Sequence, residues 1–219
     1  MEIAVFSDVI CPWCYIGKRR LERAFEALGL KGRVAVEWLP FELNPGMPRE
    51  GMARADYRAQ KFGAERAAAL DANIRAVGAE EGIRFAFDRQ SRTPNTRAAH
   101  MLIAHASGQG RGGAVVDALF RAYFEEGRDI GDEAVLLAVA EEAGLPRDEA
   151  QAALRDQEVR RMVVQAEGRA GELGISGVPF FIVDQAFAVS GAQPAEAWVE
   201  ALQQIAARRP AGGRAAAGA

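Results

Sequence analysis

The sequence has few of the residues that crosslink a chain or hold a metal, with two cysteines and two histidines among 219 residues. The two cysteines close too short a loop to stabilise a domain, and a structural zinc site needs four ligands. No apolar run approaches the roughly 20 residues that a membrane span requires. The first residues lack the basic region, the apolar region and the cleavage site of a secretory signal. We therefore predict a cytoplasmic protein with no metal site and no membrane partner.

An excess of positive charge is also absent. Lysine and arginine together number 27, against 30 aspartates and glutamates, so the formal net charge is −3. Proteins that bind nucleic acid usually carry a basic excess, and none is predicted as a partner here. The composition is otherwise that of a globular protein, and a chain of this length buries a substantial core without disulfides. The chemistry must therefore come from individual residues.

The two cysteines stand in the run Cys11-Pro12-Trp13-Cys14, a spacing that two randomly placed cysteines would give in roughly 1 case in 100. The apolar and β-branched residues 2–7 before this run predict a buried strand. Proline is favoured at the first position of a helix, because its missing N–H would be unpaired there in any case. Cys11 is therefore expected at the N-cap, where a strand meets a helix.

This position suits thiol chemistry, because the thiolate is the form of cysteine that attacks a disulfide. Unpaired N–H groups and the helix dipole stabilise negative charge at a helix start, and we expect those of Trp13 and Cys14 to face the Cys11 sulfur. Cys14 lies one turn further on and is expected to be the more buried cysteine. Cys11 should then form the mixed disulfide with a substrate, and Cys14 should resolve it. Trp13 is expected to be exposed beside both sulfurs and to contribute to substrate binding.

The predicted elements give an α/β fold class, namely a thioredoxin fold (βαβ…ββα) interrupted by a large all-helical insertion. The thioredoxin-like domain is predicted to comprise residues 1–43 and residues 176–207. The first segment contains strand 2–7, helix 12–28 and strand 33–43. The second segment contains strands 179–183 and 186–190 and helix 194–207. The insertion, residues 44–175, shows no convincing strand but has apolar residues at helical spacing. Its predicted helices are 52–61, 64–80, 95–107, 113–126, 132–143, 148–155 and 157–173. Residues 208–219 are predicted to be a flexible tail.

A second signal for function is the run 175–181, in which Val178 precedes Pro179 at the start of a strand. Proline cannot donate a hydrogen bond to a sheet, and X–Pro is the peptide bond that most readily adopts the cis form. We expect a cis Val178–Pro179 bond in a loop that faces the cysteines. Both residues are candidate substrate-binding residues, because a substrate segment could pair with this loop as an added strand.

Three further side chains were considered for chemistry. His100 and His105 do not share a face of their predicted helix, so a histidine pair for a metal is not expected. His100 is a candidate to line the cleft between the two domains. Glu42 could be a buried acid that handles the proton of Cys14, but a solvated carboxylate at the end of a strand is the interpretation that we favour.

Several motifs together resemble the DsbA family, and within it the FrnE-like subgroup. They cover about residues 1–207 and include Cys11–Gly17 with the residues before it, Pro40–Pro45, Asn95–His100, Gly177–Phe181 and Ser190–Gln193. The resemblance implies a thioredoxin fold with a helical insertion, a redox dithiol with Cys11 as nucleophile and Cys14 as resolving thiol, and Val178–Pro179 as the cis-proline loop. The 2-hydroxychromene-2-carboxylate isomerases and kappa-class glutathione transferases are related, but they carry serine where this sequence has Cys11.

We therefore predict a thiol–disulfide oxidoreductase whose partners are protein or small-molecule thiols and disulfides. No bound cofactor is predicted, and glutathione is a candidate co-substrate. Two alternatives stay open: a glutathione-dependent isomerase or transferase, and a module that binds a metal or a client at the two cysteines without turnover. The sequence does not specify an oligomeric state.

Overall fold

The computed structural model describes residues 1–208, which contain six strands and nine helices. The strands are β1 (Glu2–Ser7), β2 (Ala35–Pro40), β3 (Met52–Ala53), β4 (Arg92–Thr93), β5 (Phe180–Val183) and β6 (Phe187–Ser190). The helices are α1 (Pro12–Ala27), α2 (Arg54–Phe62), α3 (Ala64–Glu80), α4 (Arg97–Ser107), α5 (Gly112–Phe124), α6 (Glu133–Glu142), α7 (Arg147–Arg155), α8 (Gln157–Glu172) and α9 (Ala195–Arg208).

The main sheet has the strand order β2-β1-β5-β6. β1 pairs in parallel with β2, and α1 makes the crossover that a parallel pair requires. The other two pairings, β1 with β5 and β5 with β6, are antiparallel. Ile3 and Val5 of the central strand are fully buried, as an apolar strand with neighbours on both sides demands. This arrangement confirms the predicted thioredoxin fold.

The segment between the two halves of the sheet is mostly helical, but it is not all-helical as we predicted. Met52 pairs with Thr93, and Ala53 pairs with Arg92, in a two-stranded antiparallel ladder. Residues 52–53 thus belong to β3 and not to the first turn of the predicted helix 52–61, which begins at Arg54. A strand of two residues has no alternating pattern, so the sequence gives no sign of it.

The helical segment packs directly on the sheet. α4, α5 and α8 contact β2, whereas α1 contacts α9 and α3. One cluster of buried residues extends from the sheet into the helical segment and includes Val5 as well as Phe120 and Phe124. The domain boundaries at 43 and 176 remain a prediction.

The C-terminal helix ends later than predicted. α9 extends to Arg208, which we had assigned to the tail. The rest of the predicted tail, residues 209–219, lies outside the described part of the chain. Within residues 1–208, no helix is both long and apolar enough to cross a membrane.

Candidate active site at the start of the first helix

Cys11 is the N-cap of α1, with Pro12 at the first helical position, as predicted. Its side chain is 5% exposed. The thiol does not cap the helix. Instead it donates to the Val178 carbonyl, with Sγ 3.6 Å from the oxygen. The Cys14 N–H, which we expected to face the Cys11 sulfur, donates to the Cys11 carbonyl at 3.0 Å. A neutral thiol is a donor, so a carbonyl suits it better than an N–H does.

Cys14 lies deeper, at 1% exposure, which confirms that it is the more buried cysteine. Burial raises the pKa of the Cys14 thiol well above its usual value, and the neighbouring Cys11 raises it further. The nearby Ser7 hydroxyl and the Asp8 backbone oppose this rise in pKa. Cys14 is therefore held as a thiol at neutral pH, and it must lose a proton before it can attack.

The loop before β5 faces the cysteines as predicted, and the Val178–Pro179 bond is cis. The Val178 carbonyl points at Cys11. Pro179 is buried against α1, where Gly17 makes the close approach possible. A Cβ atom at Gly17 would stand 3.0 Å from Pro179 Cγ. Loop and dithiol are thus packed together as one unit.

Trp13 differs from our expectation of an exposed side chain. It is half-buried and packs against the main hydrophobic cluster. Part of its surface lines a cleft of about 380 Å³ that also reaches Cys11 and Val178. The ring is therefore a wall of the cleft and not a free aromatic surface.

The far wall of this cleft is basic, a feature that our sequence reasoning missed. Arg54, Arg58 and Lys61, all from α2, line the cleft together with one carboxylate, Asp71. Their spacing of four and three residues puts them on one face of the helix, and that spacing is the signal in the sequence that could have identified them. Positive charge therefore exceeds negative charge in the cleft.

Contacts hold these basic side chains in place. Asp71 accepts hydrogen bonds from Arg54 at 2.7 Å and from Arg58 at 2.5 Å. The Arg58 guanidinium also lies 4.7 Å from the centre of the Phe62 ring. The Nε–H of Arg58 is buried without a hydrogen-bond partner. Arg58 Nη2 also donates to the Ala67 carbonyl at 3.1 Å, so the wall holds its cations in fixed positions.

The floor of the cleft is apolar and aromatic. It includes Ile74, Phe87 and Phe124, which belong to the main hydrophobic cluster. Gln90 connects Arg54 of the basic wall to Tyr123. Its Nε2 donates to the Tyr123 carbonyl at 2.8 Å, and its Oε1 accepts from Arg54 Nε at 2.9 Å. A ligand in this cleft would meet the Cys11 sulfur, apolar surface and cations within one cavity.

Glu42 is not the solvated carboxylate that we favoured. Its side chain is 2% exposed and accepts two hydrogen bonds from Arg97, at 2.7 and 3.0 Å. Arg97 begins α4, which covers the end of β2 and buries the carboxylate. Burial and the charge of Glu42 raise the pKa of the adjacent Glu167 carboxyl to about 7, against the effects of His100 and Arg97. The acid that we considered for Cys14 is therefore neutralised by an arginine.

His100 is buried behind the dithiol and does not line the cleft. It is 3% exposed, and its Nε2 atom lies 3.6 Å from Oδ1 of the fully buried Asp8. Asp8 in turn accepts backbone hydrogen bonds from Ile10 at 3.4 Å and Leu43 at 2.7 Å. His105 is part-exposed and contacts Gln109, well apart from this group. Among residues 1–208, no group of three or more His, Cys, Asp or Glu side chains is placed to hold a metal.

Comparisons with known proteins agree with this geometry. The model of the DSBA-like thioredoxin domain matches residues 2–203. An uncharacterized Bacillus subtilis protein, YwbO, is 30% identical over 185 residues, which cover 84% of this chain and 86% of that protein. A probable DsbA oxidoreductase from Streptomyces coelicolor is 36% identical, with a TM-score of 0.87 over 95% of this chain and 91% of that chain.

A more distant structure has the same fold. Cytosolic disulfide reductase DsbM from Pseudomonas aeruginosa, determined with GSH, is 21% identical, with a TM-score of 0.68 over 94% of this chain and all of that chain (100%). The match to the domain model covers nearly the whole described chain, and the predicted resemblance to the DsbA family is confirmed. The chain belongs to the family of DsbA-like thioredoxin domains.

Proposed function

We propose that this chain is a thiol–disulfide oxidoreductase in which Cys11 attacks and Cys14 resolves. The observation that carries the proposal is the position of the Cys11 sulfur. It lies at a helix start, 3.6 Å from the Val178 carbonyl, and Cys11 lines a cleft. Cys14 is one turn away and shielded from substrate, as a resolving thiol should be.

The reaction proceeds in two exchanges. The Cys11 thiolate attacks one sulfur of a substrate disulfide, and the other sulfur leaves as a thiolate that takes up a proton. The Cys14 thiolate then attacks Cys11 Sγ, breaks the mixed disulfide and releases the second substrate thiol. The substrate disulfide is reduced to two thiols, and the protein dithiol is oxidised to a disulfide. The same steps in reverse oxidise a substrate dithiol.

The basic wall favours an anionic low-molecular-weight thiol as a co-substrate. Glutathione carries two carboxylates, and charge-assisted hydrogen bonds to guanidinium groups are the strong ones. DsbM, the structural neighbour determined with GSH, has the same fold. The cleft of about 380 Å³ lies within the size range of small-molecule sites. We infer that glutathione, or a thiol of similar charge, exchanges with Cys11 from this cleft.

A pair of cysteine variants tests the division of roles. Reduced Cys14→Ser should accumulate a mixed disulfide when it is given insulin with its disulfides intact or oxidised glutathione, because Cys11 attacks the disulfide and the intermediate cannot be resolved. Cys11→Ser should accumulate none, because the remaining thiol is buried. Intact-mass measurement after acid quenching reads both results, and wild type serves as the control. Faster alkylation of Cys14 than of Cys11 at neutral pH would reverse the assignment.

The same experiment separates the alternatives. A glutathione-dependent isomerase or transferase would bind glutathione but would leave insulin disulfides intact. A metal- or client-binding module would show no turnover with either substrate. The cytoplasmic location predicted from the sequence is compatible with a reductive role, because cytosolic thiols are kept reduced.

A further inference from the structure

Two buried polar atoms behind the dithiol have no hydrogen-bond partner. They are Ser7 Oγ and His100 Nε2. Both residues line one small void of about 10 Å³, whose other lining residues carry apolar or aromatic side chains from the β1–α1 loop, β2, α4 and α5. Buried polar groups are nearly always hydrogen-bonded, so each unsatisfied one requires an explanation. A void of this size accommodates about one water molecule.

The two atoms belong to one connected path. On one side of the void, the Ser7 hydroxyl is close enough to Cys14 to lower the pKa of its thiol. On the other side, His100 Nε2 lies 3.6 Å from Asp8 Oδ1. That distance is too long for a hydrogen bond but close enough for a carboxylate to stabilise an imidazolium. The order along the path is therefore Cys14, Ser7, void, His100 and Asp8.

We propose that Ser7 and His100, bridged by one water in this void, carry away the proton of Cys14 when Cys14 resolves the mixed disulfide. This inference rests on the proposed disulfide exchange. Ser7 is the polar group beside the reacting sulfur. His100 acts through Ser7 and the water, and Asp8 positions the imidazole and balances its charge.

The step balances in atoms and electrons. The Cys14 S–H proton passes to the Ser7 oxygen while the Ser7 hydroxyl proton passes through the water to His100 Nε2. The Cys14 thiolate forms the S–S bond to Cys11 as the bond between Cys11 and the substrate sulfur breaks. The substrate leaves as a thiolate and takes a proton from solvent. His100 later returns its proton to solvent or, in the reverse reaction, to Cys14.

Charged groups face His100 from several elements of the fold. Asp8 faces it from the β1–α1 loop, Glu42 lies beyond β2, and Glu167 faces it from α8. Arg97, on its own helix, is bonded to Glu42. The void side, towards α5 and β2, is apolar. Asp8 is therefore the carboxylate nearest the imidazole, whereas Glu42 is already paired with Arg97.

The test measures resolution separately from attack. Reduced protein is mixed with excess oxidised glutathione, and the mixed disulfide at Cys11 is followed by acid quenching and intact mass over a range of pH. His100→Gln should resolve it about 100-fold more slowly at neutral pH, the lower end of the usual contribution of a positioned acid–base group. Because hydroxide must then take the proton, the rate should rise about tenfold per pH unit. Formation of the mixed disulfide should be unchanged.

Controls separate this role from a structural one. His105→Gln replaces the part-exposed histidine of the same helix and should match wild type in both phases. Ser7→Ala should slow resolution as His100→Gln does, and the double variant should be no slower than either single variant, because both act on one path. If His100→Gln does not fold, Ser7→Ala decides alone. Resolution with the wild-type rate and pH profile in a folded variant would overturn the inference. If no mixed disulfide forms even in wild type, the proposed function fails instead.

Discussion

Replacing Glu167 by glutamine would show how the buried charges behind the dithiol affect stability. The Glu167 side chain is 18% exposed and lies 3.9 Å from Arg97, which is already bonded twice to Glu42. Its Oε1 atom is buried without a hydrogen-bond partner. Burial and the Glu42 charge raise the pKa of Glu167 from 4.5 to about 7, whereas His100 and Arg97 oppose the shift. The folded protein therefore holds a proton here that the unfolded chain releases.

The sign of the pH effect follows from this difference. Between about pH 4.5 and 7 the native state binds more protons than the unfolded state, so the free energy of unfolding falls as pH rises through that range. The full shift in pKa would correspond to at most about 3.4 kcal/mol at ~1.36 kcal/mol per unit. Solvent screening of a part-exposed group reduces the expected effect to about 1–2 kcal/mol. Glutamine resembles the protonated acid at every pH and avoids this loss.

Urea denaturation measures the effect directly. Glu167→Gln should raise the free energy of unfolding by about 1–2 kcal/mol near pH 8 and change it little near pH 5. Glu172→Gln is the matched control, because it removes an exposed carboxylate from the same helix. Parallel pH profiles for wild type and Glu167→Gln, or a variant less stable than wild type near pH 8, would refute the reasoning.

Two further predictions concern the cleft and the packing. Arg58→Gln should raise KM for oxidised glutathione about tenfold, the typical effect of losing a charge-assisted hydrogen bond. KM for the neutral bis(2-hydroxyethyl) disulfide should stay nearly unchanged. The exposed Arg66→Gln is the control, and equal effects of Arg58→Gln on both substrates would contradict the anion site. Gly78→Ala should lower the free energy of unfolding by about 1–3 kcal/mol, because its Cβ would stand 2.3 Å from Phe85 Cε2. Gly168→Ala, in an open helical position, should raise the free energy of unfolding by up to about 1 kcal/mol. Thermal denaturation compares the two glycine variants, and a change of the same sign in both would refute the packing argument.

Local signals predicted much of the fold and the sulfur chemistry. The apolar run before Cys11 and the proline after it define a strand–helix junction from about ten consecutive residues. The Val178–Pro179 loop is likewise a feature of adjacent residues. Such features depend on backbone preferences and sequence period, which a single sequence displays.

The surroundings of the dithiol depend on contacts between distant residues, and here the sequence-based predictions were incomplete. Glu42 is buried because Arg97, 55 positions away, covers and neutralises it. Neither residue alone distinguishes a buried pair from two solvated charges. The basic wall was missed for a similar reason, since a row of cations on a helix is usually a solvated face. Only the packing of α2 on α3 and the β3–β4 ladder turns that face towards the cleft.

The helical segment therefore adds to the chemistry of the thioredoxin part. Arg97 and His100 lie three residues apart on α4, so they share a helix face, and that face meets the carboxyl end of β1, where Asp8 begins the turn to Cys11. α2 provides the cations opposite the sulfur. The sheet and α1 present the two thiols, but α2 can determine which substrate reaches Cys11, and α4 can determine how readily Cys14 loses its proton. Substitutions on these two helices should therefore affect separate steps: KM for an anionic substrate on α2, and the rate and pH profile of resolution on α4.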